Sequence, residues 1–541
     1  MRSIVLVFII SLTAVNLEAQ SFNETLKLVA SDRGNADFFG QSVSIDGDYA
    51  VVGAYTGGTL SNPVSRQGTA YIFKKNNNGN WQEVKKIVAS DGTYQDYFGH
   101  SVDISGDYVI VGAYQDDEDA SGANMLSAAG AAYIFKKDEG GTNNWGEVKK
   151  LVASDRGEND NFGRSVGISG DFAVVGANYE KGETSTSNGF HNKGAAYIFE
   201  KDTGGADNWG EVKKLTASDG SGGDDFGRNL LIDGDFIIVG AKGHDYDASG
   251  SNPLNSAGAV YVFEKNVGGT NNWGEAQKIV ATDRAAQDGF GYSVAKDGDY
   301  LAVGAFYAST STVSYSGAAY VFKKDIIAGT NSWSEFKRLE ASDAGTDDLF
   351  GYAIDISGDN VIVGAYSEDE DLTGNNTISK AGAAYIFNKN EGGLENWGET
   401  QKLISNERSM NDYFGFSVAI EGDLVMVGTR GEELDTAGGN SLSGAGAVYV
   451  FEFGIASSTD VVSEFPNLKI YPNPAHDKLF VESQTTFQQA IIYNIIGQPI
   501  KEVSIQNNQA EINVSDLSKG IYMLQLMMEN GESVTKQIIK N

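Results

Sequence analysis

Asp96-Tyr97-Phe98-Gly99-His100-Ser101-Val102-Asp103-Ile104-Ser105-Gly106-Asp107, followed closely by Val111-Gly112-Ala113, decides the fold, because the chain repeats it. The Phe-Gly pair recurs at Phe39-Gly40, Phe162-Gly163, Phe226-Gly227, Phe290-Gly291, Phe350-Gly351 and Phe414-Gly415, making seven copies. Their glycines stand 59, 64, 64, 64, 60 and 64 residues apart. So long a period means one supersecondary unit per repeat, each burying its apolar face only against its neighbours.

Within the second copy, Phe98, Val102 and Ile104 alternate with Gly99 and Ser101, the pattern of a half-buried strand A. Ser105-Gly106 then turns the chain into the apolar run Tyr108 to Val111, strand B. The junction reads Asp46-Gly47, Ser169-Gly170, Asp233-Gly234, Asp297-Gly298, Ser357-Gly358 and Glu421-Gly422 elsewhere, and its glycine suits a tight hairpin. Gly130 to Phe135 forms strand C, and Trp145 to Leu151 strand D. Four antiparallel strands, seven times over, predict an all-β seven-bladed β-propeller. All six tryptophans occupy the start of strand D, where the remaining copy has Phe22. The repeats thus open on a strand D and end on a strand C, Gly446 to Phe453, so residues 22–30 are expected to close the ring. Strand-D lysines such as Lys85-Lys86 and Lys149-Lys150 suit an outer edge that must not pair with other chains.

The absence of cysteine excludes disulfides, thiolate chemistry and an acylated N-terminal Cys. A net charge of −33 argues against nucleic acid as partner and leaves cations open. Residues 1–19, a short basic start and an apolar run from Ile4 to Val15, read as a signal peptide. No later stretch is long and apolar enough to span a membrane.

Residues 20–455 resemble FG-GAP repeats, the units of the integrin α-chain propeller, through the recurring Phe-Gly, Gly-Asp, Val-Gly-Ala and Gly-Ala-x-Tyr elements. The integrin-type calcium loop, a run of alternating aspartates between strands A and B, is replaced here by a two-residue turn too short to wrap a cation. After a linker, residues 456–464, the segment 465–541 reads as a small immunoglobulin-like β-sandwich. Its Tyr471-Pro472-Asn473-Pro474, Tyr493-Asn494 with Gly497-Gln498, and Leu517-Ser518 with Gly520-Ile521-Tyr522 elements resemble the C-terminal sorting domain of type IX (Por) secretion cargo. The resemblance implies the type IX machinery as partner, and a secreted or outer-surface location.

Two groups of residues are candidate sites. The residue after each Phe-Gly varies while its surroundings recur: Gln41, His100, Arg164, Arg228, Tyr292, Tyr352 and Phe416. In a propeller these positions stand near the axial mouth, where aromatic faces stack on sugars and arginines grip carboxylate or sulfate. Packing between blades is the competing reading, since they share parity with the buried strand face. The second group is the acidic B–C loops, Asp116-Asp117-Glu118-Asp119 and Glu368-Asp369-Glu370-Asp371, which could hold calcium or simply be solvated. The D–A aspartates (Asp32 and Asp37, Asp91 and Asp96, Asp155 and Asp160) repeat too regularly for catalysis and are expected to cap turns. The four histidines show no metal spacing, and no nucleophile elbow, HExxH or phosphate loop is present. The sequence therefore predicts a secreted or surface binding module for a glycan or a protein. A lyase acting on acidic glycans, with His100 or Tyr292 as base and Arg164 or Arg228 neutralising a uronate, is the alternative. A structural surface protein is a third reading.

Overall fold

The structure, a computed structural model, describes residues 21–454 apart from 59–65, 182–191, 311, 328 and 375. Beyond these it describes 469–540 apart from 472–474, 476, 483–485, 494–498, 506–507, 518–519 and 529–532. The expected signal peptide and linker lie outside the described residues.

Each repeat folds into one four-stranded antiparallel sheet paired in the order A-B-C-D. In the second these are Ser101–Ser105, Tyr108–Ala113, Ala131–Lys137 and Trp145–Leu151. Strands B and C are apolar almost throughout because neighbouring blades cover both faces, and Val109 to Ala113 are all buried. The apolar clusters accordingly straddle blade pairs: Val51, Ala70 and Ile72 of the first blade pack with Val109, Val111 and Phe135 of the second. Consecutive A strands touch all the way round, and that of the seventh blade meets that of the first. The molecule is a seven-bladed β-propeller. Its last blade combines Phe414–Glu421, Leu424–Thr429 and Ala447–Gly454 with the N-terminal strand Ser21–Leu28.

Three sets of polar contacts tie each blade to the next, and they explain the recurring residues. At the axis, the first residue of one A–B turn accepts the glycine N–H of the following turn at six of the seven junctions, Asp233 instead accepting from Lys296 at 2.5 Å. Examples are Gly106 N to Asp46 (2.5 Å), Gly358 N to Asp297 (2.6 Å), Gly422 N to Ser357 (3.0 Å) and, across the closure, Gly47 N to Glu421 (2.8 Å). Between blades, each Phe of Phe-Gly bridges the Gly of the preceding Gly-Ala-x-Tyr, from Gly68 with Phe98 round to Gly446 with Phe39. At the rim, the strand-D glutamate grips the Ser N–H and Oγ of the preceding D–A loop, as Glu147 does Ser90 (2.9 and 2.9 Å).

Two expectations are corrected by the structure. Strand A is not continuous from the Phe: a two-residue bulge separates Phe162 from Ser165, as it does Phe39 from Ser42 and Phe414 from Ser417, yet the parity is kept, and Phe98, Val102 and Ile104 share one apolar cluster as expected. The second lysine of strand D does not guard the edge. Lys150 is buried, reaching Asp91 at 2.8 Å and Asp116 at 3.1 Å. Many glycines serve backbone packing rather than turns. A Cβ on Gly130 would stand 2.0 Å from the Phe162 carbonyl oxygen, and one on Gly53 2.0 Å from that of Gly99.

The C-terminal unit has two sheets, one of Lys469–Tyr471, Lys478–Glu482 and Gln509–Asn513, the other of Phe487–Tyr493, Pro499–Ser504, Gly520–Met528 and Ser533–Lys540. They share a core including Leu479, Val481 and Ile512 from one and Ala490, Ile492, Leu524 and Leu526 from the other, a small sandwich.

Candidate functional site

The side chain after Phe-Gly turns toward the axial mouth, where six of the seven predicted residues form two contact groups, His100 with Arg164, and Arg228 with Tyr292, Tyr352 and Phe416. Arg164 hydrogen-bonds the His100 imidazole. The Arg228 Nη2 donates to the Tyr292 hydroxyl at 3.3 Å. Ring centroids of Tyr292 and Tyr352, and of Tyr352 and Phe416, lie 4.9 Å apart. Gln41 has a buried Oε1 without a hydrogen-bond partner.

Two further positions per blade complete the mouth, and sequence reasoning missed both. The first, directly after Val-Gly-Ala or its equivalent, supplies Tyr55, Tyr114, Asn178, Lys242, Phe306, Tyr366 and Arg430. The second precedes Phe-Gly and is left-handed in every blade, from φ 54° at Phe38 to 68° at Gly289. Asn161, Asp225 and Gly289 suit that conformation, whereas Phe38, Tyr97, Leu349 and Tyr413 hold it against their preference, the kind of strain that collects at functional sites. The available signal was the one that marked the first set: these positions vary inside a constant repeat.

The mouth is cationic in a strongly acidic protein. Arg430 lies 3.9 Å over the Phe416 ring, Arg164 5.0 Å over Tyr114 and Arg228 5.1 Å over Tyr292. Among the described residues none of the three arginines is ion-paired with a carboxylate. Asp225, whose field reaches Arg228, is itself held by Lys242 at 3.0 Å. Burial, and then the charge of Arg228, pull the Arg164 pKa down. Burial followed by the Arg164 and Arg228 charges pushes His100 well below its ordinary value, so the imidazole is neutral. An aromatic-lined cluster of positive charge without a carboxylate ion pair among the described residues is suited to an anionic ligand.

The acidic B–C loops divide by function. Asp117 accepts the Ala128 N–H (2.7 Å) and Asp119 those of Ser121 (2.8 Å) and Ala123 (3.1 Å), so both shape the loop. Asp369 and Asp371 do likewise with the N–H groups of Lys380 (2.6 Å) and Thr373 (2.8 Å). The remaining acids turn inward. Asp116 and Glu118 meet Asp96, and Glu368 and Glu370 meet Asp343, each trio offering carboxylate oxygens within 4.8 Å of one another. Lys150 and Lys402 already reach into these trios, at 3.1 Å from Asp116 and 3.2 Å from Glu368. They therefore fit a hard cation only in part. Burial, then Asp116, raises the Glu118 pKa to about 7. Of the D–A aspartates, the second cap turns as expected: Asp37 accepts the Gly34 N–H at 2.6 Å and Asp160 that of Gly157 at 2.6 Å. The first, Asp32, Asp91 and Asp155, instead accept from Tyr71, Tyr133 and Tyr197 and pair with strand-D lysines.

Residues 22–73, 81–135, 145–199, 209–263, 273–322, 333–387 and 397–451 match the family model of the FG-GAP repeat. Residues 469–541 match that of the secretion system C-terminal sorting domain. Beta-agarase D of Zobellia galactanivorans is 36% identical over 72 residues, 13% of this chain, which thus covers only 14% of that enzyme's length. A similar solved structure is the periplasmic gluconolactonase PpgL of Pseudomonas aeruginosa, at 13% identity and a TM-score of 0.42 over 68% of this chain and 86% of that one. That likeness is too loose to bear on activity.

Proposed function

Because the chain belongs to the FG-GAP repeat family and ends in a sorting domain of type IX secretion cargo, which marks export to the cell surface or beyond, we propose that the propeller is a binding module for an anionic glycan, taken at the axial mouth. One observation carries this reading: Arg164, Arg228 and Arg430 converge among aromatic rings without a carboxylate ion-pair partner among the described residues. Sulfate or carboxylate would supply the missing counter-charge, and the rings would stack on the apolar faces of sugar units. The test presents purified propeller, residues 20–455, to immobilised acidic and neutral polysaccharides, scoring retention and product release together. Retention on acidic polymers that falls at least about ten-fold in Arg164→Ala/Arg228→Ala supports the reading. Equal retention of wild type and variant rejects the site.

A lyase is the second reading, and the neutral His100 favours it, since a base must be unprotonated to abstract a proton. Against it, the His100 Nε2 is already engaged by the Arg164 guanidinium. Release of unsaturated ends in the same assay would shift the assignment to the lyase.

A further inference from the structure

The fifth blade departs from the repeat at three places on the face that carries the mouth. Its B–C connection is the short stretch Phe306 to Ser316, where the second blade has Tyr114 to Ala129. Ala308 stands where five other blades have Asp116, Glu180, His244, Glu368 or Glu432, and the first has Gly57. Arg338 replaces the inward lysine and is drawn to Asp283 at 2.6 Å. The shorter loop and smaller side chain leave a cleft of about 240 Å³ between the D–A and B–C loops, lined by Gln287, Asp288, Tyr307, Tyr315 and Arg338 among others.

This cleft is joined to the axis by a run of aromatic rings. From Tyr352 the path passes to Tyr292 (4.9 Å between centroids), Phe306 (4.1 Å), Tyr307 (3.9 Å) and Tyr315 (5.7 Å). Phe306 is buried and Tyr292 and Tyr352 are part-buried, whereas Tyr307 and Tyr315 are 44% and 40% exposed. Tyr315 is moreover held in the left-handed region (φ 52°), at a position where other blades have Arg66, Ala128, Ser256 or Lys380. The repeat imposes the conformation, and only here does an aromatic ring occupy it. The chemistry changes along the path, from arginines that make no ion pair with a described carboxylate at the axis to a mixture of amide, carboxylate and guanidinium in the cleft. The first suits a charged group, the second sugar hydroxyls.

We infer that the ligand is a chain rather than a single sugar: an anionic unit sits at the axis, and the following units run outward over the fifth blade, stacked on Tyr307 and Tyr315, with hydroxyls in the cleft. This rests on the axial reading and adds the direction and polymeric nature of the ligand. The experiment measures the affinity of the propeller for size-defined oligosaccharides, one series of uronates and one of sulfated galactans, for wild type, Tyr307→Ala/Tyr315→Ala and Tyr307→Phe/Tyr315→Phe. In whichever series binds, wild-type affinity should rise about ten-fold from disaccharide to hexasaccharide. The alanine pair should lose that gain with disaccharide affinity and melting temperature unchanged, and the phenylalanine pair should keep most of it. A wild-type affinity independent of length, or a gain that survives in the alanine pair, overturns the inference and leaves the axial site standing. Failure of every oligosaccharide in both series to bind wild type overturns the axial reading and this one with it.

Discussion

Two glycines with similar backbone angles separate the two uses of this residue. Gly122 (φ 70°) has open space where a Cβ would be, whereas Gly130 (φ 84°) faces the Phe162 carbonyl. Gly122→Ala should cost about 1 kcal/mol, the conformational penalty alone. Gly130→Ala should cost about 3 kcal/mol or more, since two backbones must separate, and denaturant titration of both variants checks the contrast. The strand-D lysines give a parallel test. Lys150→Met strands Asp116 in the interior and should cost about 3–5 kcal/mol. Lys149→Met removes a bond to the Asn208 side chain (2.8 Å) and should cost about 1 kcal/mol. For calcium, chelator-treated protein should gain melting temperature on adding the ion if the carboxylate trios bind it, with the gain lost in Glu118→Gln/Glu370→Gln. A flat response at millimolar calcium rejects the ion. At this scale the sequence revealed the ring from Gln41 to Phe416, because one position varied where its neighbours did not. Arg430 and Tyr114 went unnoticed because they follow strand B, and only the fold brings that strand's end beside the start of strand A. Asp96 escaped the acidic-loop reading for the same reason: it reaches Asp116 from another loop.

At the scale of the strand, the N-terminal segment matters most. Ser21–Leu28 is the outer strand of the last blade, and Phe22 lies in its apolar cluster. The buried Lys27 reaches Glu407 at 2.7 Å and Glu432 at 3.3 Å. Deleting residues 21–31 should lower the melting temperature and broaden the transition, with hydrogen exchange accelerated first in Ala447–Gly454; an unchanged sharp transition would refute the role assigned to this strand. The blade count and strand order were legible because turn glycines, apolar runs and tryptophans repeat in phase. The bulge was not, since two extra residues in strand A look like continued alternation until the pairing with strand B is known.

Across the whole propeller, buried carboxylates set the response to pH. Burial is the largest cause in each case, raising Asp103 to about 6, Asp355 to about 7 and Asp412 to about 7. Such groups bind protons more tightly folded than unfolded, so their contribution is full below the unfolded carboxylate pKa and is lost as pH rises through about 6–7. Asp91 acts in the opposite sense: burial raises it, but hydrogen bonds from Lys150 and Tyr133 outweigh that and hold it low. Its contribution is lost as pH falls through its depressed folded value. The melting temperature should therefore be higher near about pH 5.5 than near about pH 8 and fall again in stronger acid, which a scanning-fluorimetry pH series would show. The strand through which the propeller chain leaves toward the sorting domain has a mechanical consequence. Ala447–Gly454 is flanked by Leu424–Thr429 on one side and Ser21–Leu28 on the other. A pull on the C-terminal end thus enters through a strand laced along both edges, and the blade must shear rather than unzip. Were this end held at a surface, tension on the axial mouth would load the ring along its strands, the direction in which it gives way last.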